Sequence, residues 1–211
     1  MNSTKLRYRL YKIYLAVMFV AVVLSVPLAF VLPVELSFEN GVIENAQVVI
    51  LILAALLILI FRSPAAQMIW FQRFFAMGLV LMALRELSWG RVFFPIKMKT
   101  LGPVFVSMAD YEYRIPVYIF LAAYIVIMLF ILIRFVPVRK IFLSRQPLAA
   151  FTVIFFALSL NYVGEHGYFI GKAYGQVLEE LNELIFYLTL PVISFYYTQQ
   201  KNPSKSTRRI F

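Results

Sequence analysis

The sequence contains no cysteine, which excludes disulfides, thiolate metal sites and cysteine nucleophiles. It contains one histidine, His166, so no site can require two. Charge is also scarce, at 14% of residues against roughly 25% in a soluble domain. Apolar residues take its place: 63% of the 211 residues are hydrophobic and the mean hydropathy is +0.84. A water-soluble fold must cover its surface with polar groups and cannot hide so much apolar area. The remaining solvent is lipid. A bilayer core of about 30 Å takes about 20 apolar residues per helix. The chain has room for about six such helices and for no soluble domain of ordinary size beside them.

Six apolar runs read as spans, at about 13–32, 42–61, 68–89, 115–133, 148–163 and 177–197. Pro27 lies inside the first, where it predicts a kink, and Pro191 inside the last. The runs are continuous rather than alternating, which predicts helices and not barrel strands. The expected fold is all-α: a polytopic membrane helix bundle forming one domain over 1–198, followed by a basic tail over 199–211. The first run follows Lys5, Arg7, Arg9 and Lys12, as a signal peptide would. It is too long for one, however, and no small-residue cleavage site ends it, so it reads as a retained helix.

The net charge of +10 is carried by residues that flank apolar runs. That pattern points to lipid headgroups and to the positive-inside bias rather than to nucleic acid. With the N-terminus inside, the outer side holds Arg85, Arg91, Lys97, Lys99, Arg114 and Lys172, and the other 14 of the 20 basic residues fall inside. The expected topology is N-in, C-in. The acids sort the other way. All ten, from Glu35 to Glu183, fall in the outer half. Topology rules do not require this, because acids contribute little to orientation. Something on the outer face uses carboxylates.

Depth decides which of them matter. Counting 1.5 Å per residue from Arg73 places Arg85 and Glu86 roughly 18–20 Å further along, about 10 Å short of the outer edge of the hydrocarbon. Glu183 reaches a similar depth counted from Tyr197, and it is the strongest ligand candidate. Groups so placed usually face a bundle interior or a wet cavity. Arg85 and Glu86 point about 100° apart, so they are not expected to serve one partner face, whereas Glu86 and Trp89 are three apart and share one. Glu179, Glu180 and Glu183 are neighbours on the sixth helix. Like charges this close repel unless a cation, a proton or an arginine intervenes, with partial relief from the helix N-terminus. Glu39 and Glu44 flank an Asn-Gly turn before the second helix. Glu165 and His166 stand between glycines in a loop before the sixth, where His166 could overhang the acidic helix ends. The half-apolar segment 91–114 reads as an amphipathic or re-entrant cap. Each of these also has a structural reading: interhelical ion pair, interfacial anchor, favourable charge at a helix start, or solvated loop.

Three stretches carry a resemblance: Glu39-Asn40-Gly41-Val42-Ile43-Glu44, Arg85-Glu86-Leu87-Ser88-Trp89-Gly90-Arg91 and Glu179-Glu180-Leu181-Asn182-Glu183. They resemble a loose group of uncharacterised bacterial multi-pass membrane proteins with Glu-Asp-Gly-x-x-Glu, Glu-Glu-x-Ser-Trp-Gly-Gln-Arg and Glu-Glu-x-x-Glu motifs. The match departs at Asn40, Arg85 and Arg91. It implies a shared polar site at the outer leaflet, in the bacterial cytoplasmic membrane, and no particular activity.

Three functions fit this pattern. One is a binding or transport protein whose outer-facing acidic pocket takes a cation or a lipid headgroup, with Glu86, Glu180 and Glu183 as ligands and Arg85 or Arg91 as counter-charges. Another is an enzyme acting on lipid at the outer leaflet, using carboxylates with His166 as acid and base or around a divalent cation held by Glu86, His166, Glu180 and Glu183. The third is an accessory or immunity-type partner protein in which the cluster is a stabilising ion-pair network. Membrane lipids are the expected partners, and a protein partner is compatible with the third function.

Overall fold

An apolar run that cannot hydrogen-bond its surroundings has to satisfy its own backbone, and a helix does this within one segment. In the computed structural model, which describes residues 3–199 apart from 62, 64–65, 100–101, 144–146 and 169, each of the six runs is a helix. In chain order the helices are α1 (Ser3–Val31), α2 (Val42–Ile60), α3 (Ala66–Glu86), α4 (Arg114–Arg134), a short α5 (Val138–Leu143) that lies outside the six runs, α6 (Leu148–Glu165) and α7 (Lys172–Gln199). Pro27 and Pro191 lie within α1 and α7. The expected basic tail beyond Gln199 lies outside the described residues.

Some boundaries differ from expectation. The sixth helix begins at Lys172 rather than near 177, and α6 runs on to Glu165, through residues expected to form a loop. The third ends at Glu86 rather than Trp89, because Ser88, Trp89 and Gly90 all take positive φ (43°, 57° and 92°) and turn the chain back. The segment after it, expected to be an amphipathic or re-entrant cap, contains strands. It holds two antiparallel strands, β1 (Pro95–Lys99) and β2 (Gly102–Phe105), paired Lys97 to Val104 with a bulge between Pro95 and Lys97. The fold is mostly helical, and this hairpin is an addition to it.

Among the described residues five helices are long and apolar enough to cross a membrane: Tyr8–Val31, Val42–Ile60, Met68–Phe93, Arg114–Arg134 and Leu148–Glu165. The sixth expected span, α7, is not among them, and its position explains why. It packs against α1, α2, α3 and α6 and buries Asn182, Glu183, Thr189, Ser194 and Thr198. A helix walled in by others need not be apolar all round, provided its polar groups find partners. Thr189 and Thr198 find theirs on the carbonyls of Ile185 and Ser194, at 2.8 and 2.9 Å. α4 is the opposite case. It buries no residue, and it meets α3 where Tyr124 donates to the Met77 carbonyl at 2.9 Å.

Two apolar clusters hold the centre. Leu15, Val22, Phe71, Val153, Ile185 and Ile193 join α1, α3, α6 and α7. Leu51, Ile58, Ala76, Leu79, Ala83 and Tyr187 join α2, α3 and α7. The α6–α7 crossing is close enough for backbones to touch. A Cβ added at Gly164 would lie 2.5 Å from the Gly175 carbonyl oxygen and 2.7 Å from the Glu179 nitrogen. The acids gather at one end of this bundle: the 34–44 turn, the end of α3, the start of α4, the end of α6 and the first turns of α7. Lys12, Arg73, Arg134, Arg139 and Lys140 lie toward the other.

Candidate functional site

At the acidic end, α7 presents Glu179, Glu180 and Glu183 within five residues, beside the C-terminus of α3 and the N-terminus of α2. Arg85 donates from Nη2 to Glu183 Oε1 at 2.8 Å, and its Nε lies 3.5 Å from Glu86 Oε1. One arginine therefore serves both carboxylates. The 100° offset between adjacent residues did not separate Arg85 from Glu86, because the long arginine stem folds back over the helix end. Glu86 Oε1 also accepts from the Tyr187 hydroxyl at 2.6 Å. Tyr187, Glu86, Arg85 and Glu183 thus form one chain of contacts between α3 and α7. Position matters here. The negative end of the α3 dipole disfavours Glu86 and favours Arg85, so Glu86 depends on Arg85 and Tyr187.

Tyr187→Phe tests that dependence. A hydrogen bond to a charged partner contributes about 1.5–3 kcal/mol, and both residues are buried. The variant should lose about 2 kcal/mol, read as a lower thermal midpoint of the purified protein. A wild-type midpoint would show that this bond carries no weight.

The other half of the cluster is Glu44, Gln47 and Glu180. Glu44 stands in the first turn of α2, where the dipole favours an anion, and accepts the Asn40 backbone N–H. One turn further, the fully buried Gln47 donates from Nε2 to both the carbonyl and the Oε2 of Glu180, each at 3.0 Å. Two acceptors fix the amide orientation, since a flip would set oxygen against oxygen. Gln47 Oε1 is left buried with no hydrogen-bond partner among the described residues. Glu44, Glu86 and Glu183 all act electrostatically on Glu180, and Glu86 and Glu183 act on Glu44. Of these four carboxylates, Glu86 and Glu183 have the Arg85 guanidinium beside them, at 3.5 and 2.8 Å.

The remaining candidates are peripheral. Glu39 accepts from Ser88 at 2.9 Å, tying the 34–44 turn to the end of α3. Trp89 belongs to the left-handed turn and does not share a helical face with Glu86. Arg91 donates to the carbonyls of Ser88 and Val106, both at 3.2 Å, and so anchors the hairpin. His166 caps α6, with Nδ1 3.0 Å from the Tyr162 carbonyl and its ring stacked on Tyr168. Its described contacts are with tyrosines and not with the α7 acids. Glu165 is exposed and reaches Glu179 only electrostatically. Among the described residues no three His, Asp or Glu side chains converge closely enough to hold a metal ion.

A groove of about 300 Å³ runs between the 34–44 turn and the hairpin, with Glu35, Phe38, Glu39, Val92 and Phe105 in its walls. It also borders Asn40, whose N–H binds Glu44. Comparison with protein-family models, with curated proteins and with solved structures finds no match.

Gln47 and Tyr187 escaped the sequence reading. Each carries a signal: Gln47 stands three residues after Glu44, just before the long apolar run of α2, and Tyr187 is one turn after Glu183.

Proposed function

We propose that the protein is a polytopic membrane protein of the bacterial cytoplasmic membrane that binds a cation, or the cationic part of a lipid headgroup, in an acidic pocket between α2, α3 and α7. In this reading six helices span the bilayer, α7 at their centre, with both termini inside and the pocket opening outward. The observation that carries it is the acceptor excess at Gln47. A buried amide oxygen without a donor, beside carboxylates that outnumber their counter-charges, is costly when empty and favourable around a cation. The basic end supports the orientation, and the resemblance supports the bacterial membrane.

Binding is tested by the thermal midpoint of detergent-solubilised protein titrated with inorganic and organic cations. The wild type should be stabilised, and Glu180→Gln and Glu44→Gln should each weaken binding about tenfold, or 1.4 kcal/mol. If no cation shifts the wild type, the reading fails. Topology is tested separately. The chain has no cysteine, so single substitutions label cleanly. Glu35→Cys should react with an impermeant maleimide from outside intact cells, and Arg139→Cys only after lysis. The reverse result would invert the topology.

A stabilising ion-pair network in an accessory protein is the competing reading, and the Arg85–Glu183 contact at 2.8 Å favours it. It expects Glu180→Gln to change stability in the absence of any ligand and no cation to stabilise the wild type. A lipid-modifying enzyme gains no such support, because the described contacts of His166 lie outside the carboxylate cluster.

A further inference from the structure

Resting on the cation-binding reading, we infer that the ligand is a primary ammonium, a cation that donates N–H bonds. The inference begins with a donor and acceptor census around Gln47. Both Nε2 hydrogens are committed to Glu180. Glu44 Oε2 takes the Asn40 N–H and Glu180 Oε2 takes the Gln47 amide. Oε1 of Glu44 and Oε1 of Glu180 accept no hydrogen bond from a described residue, and Gln47 Oε1 is buried without a partner. These three oxygens are therefore acceptors for which the described residues supply no donor. A proper occupant supplies positive charge and hydrogens together.

Spacing separates the kinds of cation. A hard metal ion needs several oxygens within about 2.0–2.6 Å of one point, and the described carboxylates do not converge in that way. An ammonium nitrogen needs acceptors at about 2.7–3.2 Å in different directions, which suits carboxylates that feel one another without clustering. A quaternary ammonium has the charge but no N–H to give Gln47.

The groove lies beside this site without being lined by Glu44, Gln47 or Glu180. It borders Asn40 and Gly41, just before α2, and its walls join the rings of Phe38 and Phe105 to the carboxylates of Glu35 and Glu39. Aromatic faces and carboxylates both attract a cation. Ethanolamine is a small primary ammonium that occurs as a headgroup. The same headgroup can arrive free in solution or on a phospholipid.

The test uses the full-length protein in detergent, with the thermal midpoint followed against ethanolamine, methylammonium, tetramethylammonium, sodium and calcium at matched ionic strength. Ethanolamine and methylammonium should bind at least tenfold more tightly than tetramethylammonium. Gln47→Met should reduce that ratio several-fold. Should that variant fail to fold, the wild-type series decides alone. Equal binding of tetramethylammonium, or tighter binding of sodium or calcium, would overturn the ammonium assignment and leave the cation pocket standing. No response to any cation would remove both. Nanodiscs distinguish the sources. A higher midpoint in phosphatidylethanolamine than in phosphatidylcholine, without added amine, marks a lipid headgroup. A response to free ethanolamine alone marks a soluble amine.

Discussion

Gly164→Ala is expected to destabilise the protein by about 3 kcal/mol or more, at the top of the range for overpacked interiors. The new methyl would meet the Gly175 carbonyl oxygen at 2.5 Å and the Glu179 nitrogen at 2.7 Å. Both are backbone atoms, so no side chain can rotate away, and the helices must part. Gly175→Ala should behave similarly, since its Cβ would meet the Gly164 oxygen at 2.5 Å. Gly78 is the control. Its Cβ would touch only the end of Met128, at 3.9 Å, and alanine there should be neutral or stabilise by up to about 1 kcal/mol through helix propensity. Thermal unfolding of the three purified variants measures this. The consequence extends to the site, because the atom struck belongs to Glu179, one residue before Glu180. Pushing that turn away from α6 disturbs its register with Gln47, so cation binding in Gly164→Ala should weaken even below the melting temperature. Wild-type stability in Gly164→Ala would show that α6 and α7 can part at no cost.

That crossing also marks where the sequence is readable and where it is not. The existence and approximate limits of the long helices follow from composition, because a continuous apolar run has one economical conformation when its surroundings cannot hydrogen-bond; the short α5 does not follow in this way. The gathering of the acids at one end follows from alternation of helix direction. Contacts across helices do not follow from spacing along one helix. Offset along α3 separated Arg85 from Glu86, yet the arginine reaches both Glu86 and Glu183, because its stem is long enough to cancel a 100° turn. Helical periodicity paired Glu86 with Trp89, and three successive positive-φ residues ended the helix between them. The hairpin was hidden because a half-apolar loop rich in lysine reads equally well as an amphipathic cap. Gln47 was hidden because one amide in a helix as apolar as α2 attracts less notice than a charge, although buried amides have as strict a need for partners.

Arg85→Met is expected to be far more damaging than Glu183→Gln, although the two residues form the same ion pair. Removing the arginine strands Glu183 and Glu86, which are 9% and 5% exposed, without their cation. Breaking a buried pair in this way costs about 3–5 kcal/mol. The Arg85 side chain is 59% exposed, however, and water offsets part of that, so about 2 kcal/mol is the expected loss, between the buried figure and the ~0.5 kcal/mol of a surface pair. Removing the glutamate charge is milder. Arg85 keeps Glu86 and turns toward water, and one repulsion with Glu180 disappears. Glu183→Gln should therefore stay within about 0.5–1 kcal/mol of wild type, and Arg85→Met/Glu183→Gln should recover part of the single-variant loss, as a double-mutant cycle would measure. The binding result is the sharper one. Glu183 is already paired with the Arg85 cation, while the described contacts of Glu44 and Glu180 are with amide groups, so Glu183→Gln should retain cation binding where Glu180→Gln does not. The sequence alone favoured Glu183 for its depth. Loss of binding in Glu183→Gln with retention in Glu180→Gln would mean that the ligand displaces Arg85, and that the pocket centres on the α3–α7 contact rather than on Gln47.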